Sequence, residues 1–100
     1  MTAQELKQDG FVDSFIPCFG NLIKFENDTI TGYNEKSDGT VVICKIFKAE
    51  NEYALNSIKK WKKENVSNKK KLLASTEKGL TSFHGRWFKI NEGEVKMETL

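Results

Sequence analysis

Residues 22–33 read Leu-Ile-Lys-Phe-Glu-Asn-Asp-Thr-Ile-Thr-Gly-Tyr, and this stretch decides the fold. A two-residue turn at Asn27-Asp28 would place Phe25 opposite Ile30 and Ile23 opposite Gly32 on one face of a strand pair. Lys24 would then lie opposite Thr31 on the other face. Because this register separates apolar from polar side chains, the stretch predicts an antiparallel hairpin.

The residues that follow this hairpin change from a strand pattern to a helical one. Residues 40–47 carry β-branched side chains on both faces, which predicts a central, buried strand. Ala54, Ile58 and Trp61 then recur at helical spacing, and the lysines of this stretch occupy other positions. This recurrence predicts the main amphipathic helix, over about residues 50–64.

The N-terminal residues predict a short helix followed by an extended segment. Thr2 and Glu5 have the spacing of a capping box, in which each side chain satisfies a backbone N–H at the start of a helix. Residues 11–19 are aromatic and apolar, but Pro17 removes a backbone donor. We therefore expect an edge segment that lies across the core.

The C-terminal third predicts a meander of strands at about residues 70–76, 80–90 and 94–100. Residues 69–78 admit two interpretations, because Asn68 could cap a helix over the same residues. Three lysines in the first turn of such a helix would oppose its dipole, so a strand is favoured, with Leu73 opposite Phe83.

Together these elements predict an α+β fold, in which antiparallel β-meanders pack with one main amphipathic helix and a short N-terminal helix. The chain has 100 residues, of which 38% are hydrophobic and 30% charged. This length and composition are typical of one globular unit. We expect a single α+β domain over residues 1–100.

The two cysteines indicate neither a metal site nor a redox motif. Cys18 and Cys44 lie 26 positions apart, without the close pairs that zinc and thioredoxin-like sites need. Two buried, reduced thiols are expected, with no metal and no cofactor; a bridge would require export. The first nine residues are polar and partly acidic, so no export signal is expected, and no apolar run approaches the roughly 20 residues of a membrane span. A soluble, cytoplasmic protein without membrane contact is expected.

Positive charge is concentrated in one short segment. The formal net charge is +2, yet residues 57–71 hold seven lysines against the single acid Glu64. Such a patch attracts phosphates, so one hypothesis is a nucleic-acid-binding site with Trp61 or Trp87 available for base stacking. The alternative is the solvated face of a helix followed by a loop. The lysines concerned are Lys59, Lys60, Lys62, Lys63, Lys69, Lys70 and Lys71.

A second candidate site is the aromatic segment at residues 83–88, which contains the only His and the only Arg of the chain. In one continuous strand, Phe83 and Trp87 would share one face, with His84, Arg86 and Phe88 on the other. Arginine beside aromatic side chains is typical of a protein-binding hot spot. The alternative is that Phe83 and Trp87 belong to the core while His84 and Arg86 face water.

Binding to another protein is the favoured function, as a small accessory or inhibitor protein that uses Phe83, His84, Arg86, Trp87 and Phe88. Nucleic-acid binding through the lysines is the alternative. The sequence offers no recognisable catalytic constellation, so an enzyme is not expected. An enzyme centred on His84 would need a carboxylate or thiol beside the imidazole. A homodimer through an exposed edge strand is a further expectation.

Overall fold

The computed structural model describes residues 1–74, 79–83, 86–91 and 94–98. These residues form an α+β fold, as the sequence predicts. One antiparallel sheet has the strand order β1-β2-β3-β4, and a second has the order β5-β6-β7. The elements are α1 (Ala3–Gln8), β1 (Val12–Asp13), β2 (Leu22–Phe25), β3 (Thr29–Glu35), β4 (Val41–Lys48), α2 (Glu52–Ala74), β5 (Gly79–Phe83), β6 (Arg86–Asn91) and β7 (Glu94–Glu98).

The predicted hairpin is confirmed with its register. Phe25 pairs with Ile30, Lys24 with Thr31, and Ile23 with Gly32. Ile23 and Ile30 are fully buried, so the apolar face of the hairpin is the core face. Gly32 is required on that face, because a Cβ at this position would overlap the backbone carbonyl of Phe19.

The predicted N-terminal helix and its capping box are also confirmed. The Thr2 hydroxyl accepts a hydrogen bond from the Glu5 backbone N–H, and the Glu5 carboxylate accepts one from the Thr2 backbone N–H. These bonds satisfy donors that the first turn of a helix otherwise leaves unpaired. Helix α1 buries Leu6 beneath the first sheet.

Residues 11–19 cross the whole core, as expected of the aromatic segment. They contribute the edge strand β1 and a short 3₁₀ turn at Pro17–Phe19. Phe11 packs with Leu6 and Leu22, Phe15 belongs to a second cluster, and Phe19 to a third. One segment of nine residues therefore joins three separate groups of buried side chains.

Two buried asparagines of α2 hold this segment in place. The Asn65 side-chain oxygen accepts a hydrogen bond from the Phe15 backbone N–H at 2.6 Å, and its amide nitrogen donates to the Asp13 carbonyl at 3.1 Å. Asn68 donates to the Phe15 carbonyl at 3.0 Å. The backbone of Phe15 lies beyond the end of β1, so these amides replace the ladder bonds that a neighbouring strand would supply.

The expectation of a central, buried strand at residues 40–47 is wrong. Strand β4 lies at the edge of its sheet, and only Val41 and Phe47 are partly buried. In the described residues, no strand pairs with its outer side beyond an isolated bridge between Thr2 and Thr40. A run of β-branched residues predicts a strand, but its place in the sheet depends on where the next strands pair.

The strand favoured at residues 70–76 is also wrong for residues 70–74, which continue α2 as far as Ala74, while residues 75 and 76 lie outside the described residues. The main helix is therefore longer than the predicted 50–64. It begins after Asn51, whose side chain accepts a hydrogen bond from the Ala54 N–H. Lys69, Lys70 and Lys71 thus lie in the last turns of a long helix, where positive charge stabilises the helix dipole. Leu73 consequently has no pairing with Phe83.

The C-terminal meander differs from the prediction in its first half. Strands β5 and β6 replace the single strand expected at residues 80–90, and Phe83 pairs with Arg86. Residues 84 and 85 lie outside the described residues. Ser82 pairs with Trp87, so positions 83 and 87 lie on opposite faces of this hairpin. In one continuous strand they would share a face. Strand β7 pairs with β6 as predicted. Phe88 and Val95 pack this sheet against Phe15 and Leu72.

We predict that Asn65→Ala lowers the free energy of unfolding by about 2–3 kcal/mol, because it leaves the Phe15 N–H and the Asp13 carbonyl without their partner. Urea unfolding followed by far-UV circular dichroism measures this change. Asn56→Ala is the matched control, since Asn56 is exposed on the same helix, and it should change stability by less than about 0.5 kcal/mol. Equal effects of the two substitutions would contradict the role of Asn65.

Candidate functional site

The seven lysines of the charged segment all lie on α2, and all are exposed. The sequence allowed a loop at Lys69–Lys71, but in the described chain these three lysines are helical. From Lys59 to Lys71 the helix rises about 18 Å, at roughly 1.5 Å per residue. The lysine face consists of Lys59, Lys60, Lys62, Lys63, Lys69, Lys70 and Lys71.

The lysine face forms because α2 buries only one narrow stripe. Ile58, Asn65 and Leu72 are buried and lie seven residues apart, so they follow one side of the helix. Lys59, Lys63 and Lys70 are spaced by four and seven residues, which aligns them along the opposite side. The stripe that packs on the core therefore fixes the direction in which the ammonium groups point.

Positive charge dominates the lysine face. In the described part of the chain, the two ion pairs join Lys7 to Asp13 and Lys24 to Asp9, and neither involves α2. Glu64 is the single acid between residues 57 and 74 of the sequence. Val66 is 53% exposed in the middle of the face, where Lys62, Lys63 and Lys70 line a shallow depression around it. This arrangement suits an extended anion.

Trp61 does not belong to the lysine face. Its ring contacts Phe19 and Phe47 edge to face, with ring centroids 5.4 and 5.2 Å away. It packs against the buried cluster that contains Ile58. The indole that the sequence offered for base stacking is therefore partly buried and packs against the core.

The structure describes only two side chains of the aromatic segment at residues 83–88, those of Trp87 and Phe88. Phe88 is buried and stacks on Phe15 with ring centroids 5.4 Å apart. Trp87 is 44% exposed on β6, beside Arg86 at the start of that strand. The structure does not describe His84 or the side chains of Phe83 and Arg86. The hypothetical enzyme site around the His84 imidazole therefore also lies outside the described residues.

The outer side of β4 is a surface that the sequence interpretation missed. Ile43 is 54% exposed and Ile46 is 58% exposed, with Val42 exposed beside them. Large apolar side chains along an unpaired strand edge are unusual, because such edges invite pairing with another strand. Lys45 and Lys48 could have indicated this position, since lysine within an apolar strand is typical of an edge.

The expectation of two buried thiols is wrong. Both Cys18 and Cys44 are unpaired and exposed. They are close in space, because the Cys44 thiol lies 3.7 Å from the Cys18 carbonyl oxygen. Cys44 is exposed because it lies on the edge strand, and Cys18 because it sits at the surface of the 3₁₀ turn.

A cleft of about 350 Å³ lies between α1 and the first sheet, and several of its polar groups bond to one another or to nearby backbone. Lys7 pairs with Asp13 at 3.2 Å, and the Asn21 side chain accepts the Glu35 backbone N–H at 2.7 Å. The Ser14 hydroxyl donates to the Ile16 carbonyl. These contacts join neighbouring segments of the fold and indicate a structural role. The lining residues are Ala3, Gln4, Lys7, Asp13, Ser14, Asn21, Glu35 and Phe88.

Among the described residues, one carboxyl group has a clearly shifted pKa, and this group lies in a turn. The hydroxyl and backbone N–H of Thr40 both donate to Asp38, and these bonds hold the pKa of the Asp38 carboxyl below its usual range. Asp38 closes the connection between β3 and β4, where Gly39 has a φ of 86°. This shift therefore gives no sign of an acid or base poised for catalysis.

Comparisons of the chain with protein-family models, curated proteins and solved structures find no match. Across the described residues, no three His, Cys, Asp or Glu side chains are grouped as a metal ion would require. Within the same residues, no helix combines the length and the apolar character needed to cross a bilayer. Function must therefore be inferred from the lysine face, Trp87 and the β4 edge.

We predict that both thiols of the native protein react with a water-soluble disulfide reagent such as dithionitrobenzoate, because both cysteines are exposed. Absorbance should report two equivalents per chain without denaturant. Cys18→Ser and Cys44→Ser should each remove one equivalent. Reaction only after unfolding would contradict the placement of Cys44 on an exposed edge.

Proposed function

We propose that this protein is a binding module whose lysine face takes the phosphate backbone of a nucleic acid. The single observation that supports the proposal is the continuity of α2 through Ala74. This continuity puts seven exposed lysines, without a paired acid among the described residues, on one rigid element. A loop would spread the same charges over many conformations.

The composition of the face favours binding that is independent of base sequence. Lysine is a compact point charge on a flexible stem, whereas arginine is the residue that contacts phosphate bidentately and reads guanine. No arginine lies on α2, and Trp61 is turned into the core. The ligand is therefore read by its charge density, and its affinity comes chiefly from the release of counterions.

The proposal predicts a salt dependence that can be localised to α2. If roughly four lysines neutralise phosphates, the logarithm of the association constant for duplex DNA should fall with the logarithm of salt concentration at a slope of about −3.6. Lys63→Gln with Lys70→Gln should reduce the steepness of that slope by about 2. Fluorescence anisotropy of a labelled oligonucleotide, titrated at several salt concentrations, measures both values.

A matched control separates the lysine face from net charge. Lys36→Gln with Lys48→Gln removes the same charge from exposed positions outside α2, so its slope should stay close to that of the unmodified protein. The proposal fails if the unmodified protein does not bind at low salt, or if the two double variants change the slope equally.

Protein binding by the β5–β6 hairpin is a second candidate, favoured by the exposure of Trp87. Tryptophan and arginine are both enriched among the residues that carry most of the binding energy of protein interfaces. In this reading the chain is a small accessory or inhibitor protein, and Arg86 and Trp87 fill a pocket of the partner. This surface lies on a different element from the lysine face, so the two candidates can be tested separately.

We predict that a protein partner recovered in a nuclease-treated pull-down is lost with Arg86→Ala combined with Trp87→Ala. Truncation of two anchors should cost a few kcal/mol of binding. The Lys63→Gln and Lys70→Gln variant serves as the control and should retain the partner. Quantitative mass spectrometry of the eluates compares the two. If the Arg86→Ala and Trp87→Ala double variant recovers as much of the partner as the unmodified protein, this candidate is rejected.

A further inference from the structure

We infer that the β4 edge pairs with the β4 edge of a second copy of this chain, in one defined antiparallel register. The inference concerns a different surface from the lysine face and does not depend on the proposed function. It rests on three properties of β4, which are the direction of its backbone groups, the distribution of its side chains, and the position of its one irregularity.

The backbone groups that point away from the sheet can be identified from hydrogen bonds at both ends of β4. The Val41 N–H donates to the Met1 carbonyl at the outer edge, so Val41 points outward. The Ala49 N–H donates inward, to the carbonyl of Asp28 just before β3. Since alternate residues of a strand point in opposite directions, Lys48 and Ile46 also point outward.

An irregularity in the middle of β4 shifts this alternation by one residue. Gly32 pairs with Lys45 and Tyr33 pairs with Ile43, which leaves Cys44 as an extra residue. Tyr33 accepts a hydrogen bond from Asn21 on its other side, so its partner Ile43 points outward. The outward backbone groups available between Met1–Thr2 and the end of β4 therefore belong to Ile43, Ile46 and Lys48.

The side chains of Ile43 and Ile46 lie on the same face of the sheet. Residues that pair across an antiparallel ladder share a face, and the partners of these two isoleucines are Tyr33 and Thr31. An ordinary strand would place positions 43 and 46 on opposite faces, but the extra residue brings them to one face. Both isoleucines combine an exposed side chain with an outward backbone amide.

This arrangement is symmetric about the midpoint between Cys44 and Lys45. A two-fold axis through that point, perpendicular to the sheet, places Ile43 opposite Ile46 of the second copy, and Ile46 opposite its Ile43. The outward backbone N–H and C=O groups of each Ile43 then face those of Ile46 in the other copy, as hydrogen bonding between strands requires. On the opposite face, the same axis sets Val42 against Phe47. Apolar side chains meet apolar side chains on both faces.

Charge and hydrogen bonding exclude the neighbouring registers. A shift of one residue in one direction places Lys45 opposite Lys45 of the second copy, and like charges directly opposed destabilise a strand pair. A shift in the other direction places the outward Ile43 opposite Lys45, whose backbone points inward. In the inferred register, Lys45 faces Cys44, and no lysine faces another.

Met1 and Thr2 limit the paired length. They already lie along the outer edge at Thr40 and Val41, so the second copy can pair from Val42 to Phe47. An interface of this length is small, and complexes of small area are weak. We therefore expect a dimer that dissociates with a constant of order 10–100 µM.

Sedimentation velocity from about 1 to 300 µM protein, at fixed salt, tests the inference. The unmodified chain should change from monomer to dimer across this range. Ile46→Lys should weaken association by about tenfold or more, because charge on an edge strand opposes pairing. Val66→Lys is the control, since Val66 is an equally exposed apolar residue on α2, and it should leave the equilibrium unchanged.

A charge pair tests the register itself. Ile43→Glu combined with Ile46→Lys places a carboxylate opposite an ammonium group twice in the dimer, so the double variant should associate more tightly than either single variant. Circular dichroism should show the same fold for all variants, because both positions are exposed in the monomer. The inference is overturned if the unmodified chain stays monomeric, if Ile46→Lys has no more effect than Val66→Lys, or if the double variant associates no better than the single ones.

Discussion

The hydrogen bonds between two asparagine amides of α2 and the backbone of Phe15 are the contact on which the rest of the structure depends. The segment that holds Phe15 passes the end of β1 and has no strand beside it there, yet it must place Phe11, Phe15 and Phe19 in three different clusters. Asn65 and Asn68 supply the missing backbone partners from within the core. A buried backbone group without a partner is costly, so these amides fix both the path of the segment and the rotation of α2.

The rotation of α2 in turn determines the lysine face. The helix packs one side against the core, and its opposite side is turned to water. The lysines near the C-terminal end lie where the carbonyl ends of the helix favour positive charge, so local energetics and the proposed binding role act in the same direction. The same helix thus stabilises the core with one side and concentrates positive charge on the other.

The β4 edge is governed by a separate constraint. Its extra residue at Cys44 brings two isoleucines to one face and directs both of their amides outward. A bulge often protects a sheet edge, because it disrupts the alternation that a new strand must match. Here the disruption lies close to the middle of the strand, and an identical strand carries the same disruption at the matching place. The extra residue at Cys44 therefore opposes pairing with a regular strand but permits pairing with the β4 strand of a second copy.

The sequence by itself determined the elements whose partners are near in the chain. The hairpin at residues 22–33, the capping box of Thr2 and Glu5, and the helical spacing around Ile58 were predictable because each depends on contacts within a few residues. Only the tertiary structure decided that β4 lies at an edge, that Lys69–Lys71 continue α2, and that Trp61 packs against the core while Trp87 is exposed. The first of these depends on which distant strands pair, and the second on where the helix begins, since the same lysines oppose a dipole at one end and favour it at the other. The third depends on which distant side chains cover each ring. Local periodicity carries no information about such long-range contacts, because loop closure and packing between distant segments determine them.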